Sequence, residues 1–193
     1  MFDAVKARLE ERKRLLKAGT LVDATIIGAP SSTKNATKKR DPAMRQTKKG
    51  NPWDFGMKVH VGTDRFGVIH SITTTDAATA DITQLPHSLH GQETTLHSDM
   101  AYYKAEDKLR WELSGGRYLV NKSGKRTEYW DAINRTRSRT RAIVEHPFHT
   151  IKRVWGFTTV RYRGLAKNAA RVFALGTLAN LYRLRHRLLP QGT

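Results

Sequence analysis

An apolar run with a single carboxylate inside it constrains this chain more than any other feature. Leu21-Val22-Asp23-Ala24-Thr25-Ile26-Ile27 is rich in β-branched side chains and is bounded by Gly19 on one side and by Gly28 and Pro30 on the other. This pattern predicts a buried strand. Asp23 stands in its middle. A buried carboxylate without partners is costly, so the fold must give it a cation or several donors. A structural aspartate bonded to a nearby loop would meet that demand as well as a functional one.

The hydrophobic pattern orders the remaining elements around this strand. Residues 2–18 read as a basic helix with Phe2, Val5, Leu9 and Leu16 loosely periodic. Residues 31–52 are polar and basic, carry Pro42, Gly50 and Pro52, and read as a long mobile loop. Met57, Val59 and Val61 alternate with Lys58 and His60, and the turn Asp64-Arg65-Phe66-Gly67 leads into Val68–Thr73, which together form a hairpin signal. Residues 79–90 look helical, and Thr94–Ser98 is a strand ending at Asp99. A helix over 103–113, a strand over Tyr118–Val120, a helix from about Asn134 towards Trp155 and a last helix over about 167–189 complete the chain. There is no internal repeat, so residues 1–193 are expected to form one domain. Three antiparallel strands, then a helix, a parallel strand, a helix and a fifth strand make an α/β order seen in ribonuclease-H-like folds. The expectation is a mixed five-stranded sheet with flanking helices. In that topology the first and fourth strands are neighbours, which sets Asp23 beside Asp99.

Charge narrows the partner. The chain has 35 Lys and Arg against 17 Asp and Glu, a formal net charge of +18. Such an excess repels itself unless a polyanion is the working partner, and nucleic acid is the usual one. A ribosome-like scaffold role is the bland alternative. No basic amphipathic helix with a bulky apolar face and no apolar run long enough to span a bilayer is present, so a membrane ranks low. Cysteine is absent, which removes thiolate metal sites and suits a reducing cytoplasm.

Two further acids sit where chemistry could use them. Asp99 closes a strand at its C-terminal end, where open α/β sheets place ligands, although capping the helix that follows is an ordinary alternative. Arg141, Glu145 and Lys152 follow the spacing Arg-x3-Glu-x6-Lys, and on an ideal helix they fall within roughly 40° of one another. A solvated charge pair is the competing reading of Arg141 and Glu145. Pro147 lies inside this segment and is expected to kink or restart the helix.

Extended blocks around these acids carry a resemblance. Val22–Ile27 with Ala29–Asn35, then Lys39-Arg40-Asp41-Pro42 and Gln46–Asn51, are similar to the first-aspartate region of bacterial DDE transposases of the insertion-sequence-five group. Ser98-Asp99-Met100-Ala101-Tyr102 resembles the second-aspartate segment. Val144–Phe148 with Ile151-Lys152-Arg153, followed by Arg161–Asn168, resembles the third. The likeness runs from about residue 1 to 190, and the family carries a proline at the place of Pro147. It departs at Ser138, where the family's Tyr-x2-Arg-x3-Glu-x6-Lys signature has tyrosine, and at Ala101, where glycine is usual.

The resemblance implies a metal-binding catalytic triad of Asp23, Asp99 and Glu145. It implies two Mg²⁺ ions, with Mn²⁺ able to substitute, driving strand cleavage and strand transfer. Double-stranded DNA, both transposon ends and target, is the implied partner, engaged by a homodimer in the bacterial cytoplasm at the nucleoid. Arg141 and Lys152 are expected on phosphates beside the scissile bond. Lys34, Lys38, Lys39, Arg40, Lys48 and Lys49 would lie along the DNA backbone, or else form a solvated tail. His146 and His149 are expected at the surface, since His is a poor ligand for Mg²⁺, and Trp53 against the sheet. Only 22 residues precede Asp23, so, set against the resemblance, the family's usual N-terminal DNA-binding region is expected to be absent. That fits a truncated copy, or the second frame of a split gene working with an upstream-frame product. Two alternatives stay open: a non-catalytic basic DNA-binding fragment that regulates a full-length enzyme, and a stand-alone ribonuclease-H-type nuclease.

Overall fold

The strand that carries Asp23, β1 (Gly19–Gly28), runs through the middle of the sheet with a partner on each side. In the computed structural model, which describes residues 1–34, 36, 38–48, 50–121 and 127–188, β3 (Trp53–Thr63) lies antiparallel to β1, with Leu21 opposite Thr63 and Gly28 opposite Gly56. On the other side β5 (Thr95–Ser98) lies parallel to β1, with Gly19 opposite Thr95 and Leu21 opposite His97. β6 (Arg117–Val120) continues the sheet parallel to β5. The outer edge of β3 is shared: β4 (Ile69–Asp76) pairs residues 57–63 and β2 (Arg45–Lys48) pairs residues 53–56. This is the mixed sheet of a ribonuclease-H-like fold, with six strands among the described residues where five were expected.

The added strand corrects the reading of residues 31–52 as one mobile loop. Arg45-Gln46-Thr47-Lys48 is an edge strand open to water on both faces, so it carries no apolar alternation to betray it. Just before it, Met44 is buried in the main core, and Asp41 Oδ2 accepts the Gly164 amide at 2.6 Å. The loop is therefore docked at both features.

Alternation along β1 builds two cores. Leu21 and Ile27 face one way, onto Met57, Val59 and Val61 of β3 and the helical residues Val144, Phe148, Ile151 and Val172. Val22 faces the other way, onto Leu85, Leu96, Tyr102, Tyr118 and Val120. The first face is closed by α5 (Leu165–Leu188), which packs on β4. Buried Asn180 fastens the two elements: its Oδ1 accepts the Ile69 amide at 2.7 Å and its Nδ2 donates to the Ile69 carbonyl at 2.8 Å. Gly176 permits the close approach, since a Cβ there would run into Ile72 Cδ1.

Several helices differ from expectation for identifiable reasons. α1 (Phe2–Glu11) stops well short of residue 18, because the chain turns at Lys13, φ 53°, and Leu15 enters a small core with Leu9, Val68 and Leu184. Residues 79–90 form two tight turns, Asp81–Gln84 and Pro86–Ser88, rather than an α-helix; Pro86 has no amide to continue one. α2 spans Ala105–Leu113. The helix expected from Asn134 starts earlier, as α3 (Glu128–Arg141), and then changes pitch: a 3₁₀ turn Ala142–Val144, α4 (Glu145–His149) and a π turn Thr150–Val154. Pro147 falls in the first turn of α4, where its missing amide costs least. The proline is absorbed as altered pitch on either side and not as a break.

Candidate active site

Asp23 points to the helical face of the sheet, on the same side of β1 as Leu21 and Ile27. Its Oδ1 accepts its neighbour Ala24's amide at 2.8 Å, and its Oδ2 accepts Nη1 of Arg141 at 2.9 Å. The other arm of that guanidinium reaches Glu145, with Nη2 to Oε1 at 3.4 Å. Arg141 is the last residue of α3 and Glu145 the first of α4, so the 3₁₀ turn between them preserves the contact that their spacing forecast. The Asp23–Arg141 pair is largely shielded, with side chains 16% and 23% exposed, whereas Glu145 is 57% exposed.

Asp99 arrives from the parallel neighbour. The β1–β5 pairing ends at Leu21 opposite His97, two residues before Asp23 on one strand and two before Asp99 on the other. Asp99 also caps a turn: its Oδ1 accepts the Ala101 amide at 2.9 Å over Met100–Tyr102. The capping alternative is thus realised, on a shorter turn than the helix at 103 that was anticipated. Directly after it, Tyr102 is buried, and its hydroxyl has no hydrogen-bond partner among the described residues. Burial, then the carboxylates of Asp81, Asp23 and Asp99 around it, push its ionisation far above the ordinary tyrosine value. Tyr102 falls in the family-like block around Asp99 but has no role assigned from sequence, because a buried tyrosine reads as core.

Lys152 lines the same groove as Glu145. From the π turn its Nζ reaches down β1 to Thr25 Oγ1 at 3.2 Å and to the Ile26 carbonyl at 3.1 Å. Arg141, expected on phosphates, is held by the two carboxylates. Between Glu145 and Thr158 runs a groove of about 650 Å³ lined by Thr25, Glu145, His149, Lys152, Arg153 and Thr158. His146 and His149 are both exposed. Trp53 is 65% exposed at the start of β3, which overturns its expected burial: the β2 side chains beside it are open to water and offer it no cover. Ser138, in the tyrosine's place, accepts Asn121 Nδ2 at 3.1 Å.

Of the basic-loop residues, Lys34, Lys38, Lys39, Arg40 and Lys48 are exposed, and Lys49 lies outside the described residues. Arg40 is fixed, with its Nε donating to the Ser31 carbonyl at 2.9 Å and its guanidinium 5.4 Å from the Phe55 ring centroid.

The parallel β1–β5 pairing ends two residues before an aspartate on each strand, a glutamate helix is fastened across β1, and one comparison decides the family. The family model described as Transposase DDE domain matches residues 14–181. The chain belongs to the transposase DDE domain family. Membership makes DNA the substrate and transposition the general activity, and such domains generally work with divalent metal ions. The donor chemistry here suits a hard cation: Asp23 and Glu145 already share one positive partner, and all three acids offer carboxylate oxygens. Among the described residues, however, no three His, Cys, Asp or Glu side chains are gathered into a ready coordination sphere. Among those residues, too, no helix is long and apolar enough to cross a membrane.

Proposed function

We propose that this DDE domain is the catalytic part of a bacterial insertion-sequence transposase of the insertion-sequence-five group, cutting and joining double-stranded DNA at transposon ends and target. The observation that carries the reading is the Arg141 fork, which ties Asp23 of the central strand to Glu145 of the helical run at 2.9 and 3.4 Å. Asp99 is read as the third acid because the parallel pairing of Leu21 with His97 ends two residues before Asp23 on one strand and two before Asp99 on the other.

Asp23, Asp99 and Glu145 would hold Mg²⁺, two ions in our reading, with Mn²⁺ as a substitute. When bound, the metal supplies Lewis-acid activation of an attacking hydroxyl and charge neutralisation at the leaving oxygen. The chain's own residues do the rest. Arg141 restrains the Asp23 and Glu145 carboxylates in one place and offers its charge to a phosphate that competes for it. Lys152, steadied on Thr25 and Ile26, presents a second cation in the groove beside Glu145. Tyr102 stays protonated behind Asp99, adding no negative charge to the site. We take the working form to be a homodimer on DNA.

The test is nicking of supercoiled plasmid by the purified protein in Mn²⁺ or Mg²⁺, repeated with Asp23→Ala, Asp99→Ala and Glu145→Ala. Metal-dependent nicking that each substitution abolishes supports the reading. The alternative is a non-catalytic DNA-binding regulator. That alternative predicts DNA binding without nicking, unaltered by the substitutions.

A further inference from the structure

The segment after the groove is built with more care than the fold requires. Residues 158–160 are pinned to the end of β1: Gly28 donates to the Thr158 carbonyl at 2.9 Å and Val160 donates to the Gly28 carbonyl at 2.8 Å. The next residues, Arg161-Tyr162-Arg163-Gly164, form a loop held from within by Asn168 of α5. Completely buried, Asn168 accepts the Arg161 and Tyr162 amides at 3.1 and 3.2 Å, and donates to the Tyr162 and Gly164 carbonyls at 2.7 Å each. Gly164, at φ +84°, closes the turn, and Asp41 ties it from outside through its amide at 2.6 Å. Yet the side chains on this loop contribute little to a core: Arg161, Tyr162 and Arg163 are all exposed. With Arg40 they line a cleft of about 210 Å³.

The geometry points to a duplex-DNA backbone site in which Arg40, Arg161, Tyr162 and Arg163 receive phosphates from the strand lying in the Glu145–Lys152 groove. This rests on the transposase reading above and extends it to residues outside the triad. Arginines pair with phosphate oxygens in a fixed fork, and the tyrosine hydroxyl can add a hydrogen bond. A loop already fixed by its backbone loses little freedom on binding. Position fits as well. From Asp23 to Gly28 the strand advances roughly 17 Å, about five base pairs of B-form rise, so one duplex can meet both places.

Asn168 and Asp41 act as positioning residues, and Asp41 gives the proposal a sign. Asp41→Ala removes a negative charge, so simple attraction predicts tighter DNA binding. Release of the Gly164 tie predicts weaker binding, by about three- to tenfold, while Asp41→Asn, which keeps an acceptor, binds at least as tightly as wild type.

The experiment measures duplex affinity against salt concentration for wild type, Arg161→Ala/Arg163→Ala, Tyr162→Phe, the two Asp41 variants, and Arg8→Ala/Arg12→Ala, which removes two exposed charges on and just after α1. The loop double variant should bind about ten- to a hundredfold more weakly at moderate salt, with a log–log salt slope shallower by about two, while the α1 variant keeps its slope. Tyr162→Phe should lose about two- to fivefold. Equal losses in the loop and α1 variants, or unchanged or tighter binding by Asp41→Ala with its melting temperature retained, overturn the proposal. If wild type binds no duplex at all, the transposase reading itself fails; if it binds and the loop variants match it, only this inference does.

Discussion

Arg141 Nη1 stands 2.9 Å from Asp23 Oδ2, a contact between the end of a helix and the middle of the central strand, far apart in sequence. Because the same guanidinium also meets Glu145 at 3.4 Å, it fixes how the helical run lies over β1. Arg141→Ala should lower stability by about 1–3 kcal/mol, since it removes a charge-assisted hydrogen bond from a mostly buried carboxylate. It should also slow DNA nicking at least about tenfold. Arg141→Lys, which can satisfy one carboxylate but not both in a fork, should recover stability more than nicking. Denaturant midpoints and initial nicking rates on the same preparations check both.

The Asn180 clamp predicts a purely structural effect. Asn180→Ala strands the Ile69 amide and carbonyl in the interface between α5 and β4. The expected loss is about 2–4 kcal/mol, read from urea unfolding, with little change in DNA affinity measured well below the new midpoint.

Two buried histidines set an acid limit on stability. Burial lowers His60 to about 4 and His70 to about 3, from an ordinary value of 6.5. The unfolded chain therefore takes up protons that the folded one refuses, and stability rises with pH across this range. The stabilisation is complete above about 6.5 and is lost as pH falls through 6 towards 4 and 3. The loss is on the order of a few kcal/mol for each histidine. Melting temperatures between pH 7.5 and 4 should fall accordingly, and His70→Gln should flatten the lower part of that curve.

Much of this was legible in the chain. Strand β1, its aspartate, the hairpin through Asp64–Gly67 and the β1–β5 adjacency follow from alternation and element order, because a half-buried sheet imprints its period on the sequence. The Arg141–Glu145 pairing followed from helical spacing. What stayed hidden was set by tertiary contact. β2 has no apolar face to print, Pro86 broke a pattern that looked helical, and the bonds from Lys152 to Thr25 and Ile26 depend on how the helical run lies over β1. Tyr102 and Asn168 fall inside family-like blocks, but their roles were not legible, since a tyrosine buried near several carboxylates and an asparagine clamping a loop look like any core tyrosine or helix asparagine.

Lys152 bonds Thr25 and Ile26 through its ammonium group. Lys152→Met keeps the aliphatic stem and removes the charge. It should leave the fold within about 1 kcal/mol, weaken DNA binding modestly, reduce the salt slope by about one and slow nicking by about tenfold or more. Nicking and salt-titrated affinity on one preparation separate these effects.

The central claim is that Asp23, Asp99 and Glu145 form one site for two divalent ions. Electron paramagnetic resonance of Mn²⁺ bound to the protein on duplex DNA tests it directly. Two ions about 3.5–4 Å apart should give an exchange-coupled spectrum that Asp23→Ala, Asp99→Ala and Glu145→Ala each abolish. An uncoupled single-ion signal, or a spectrum unchanged by the three substitutions, would contradict it.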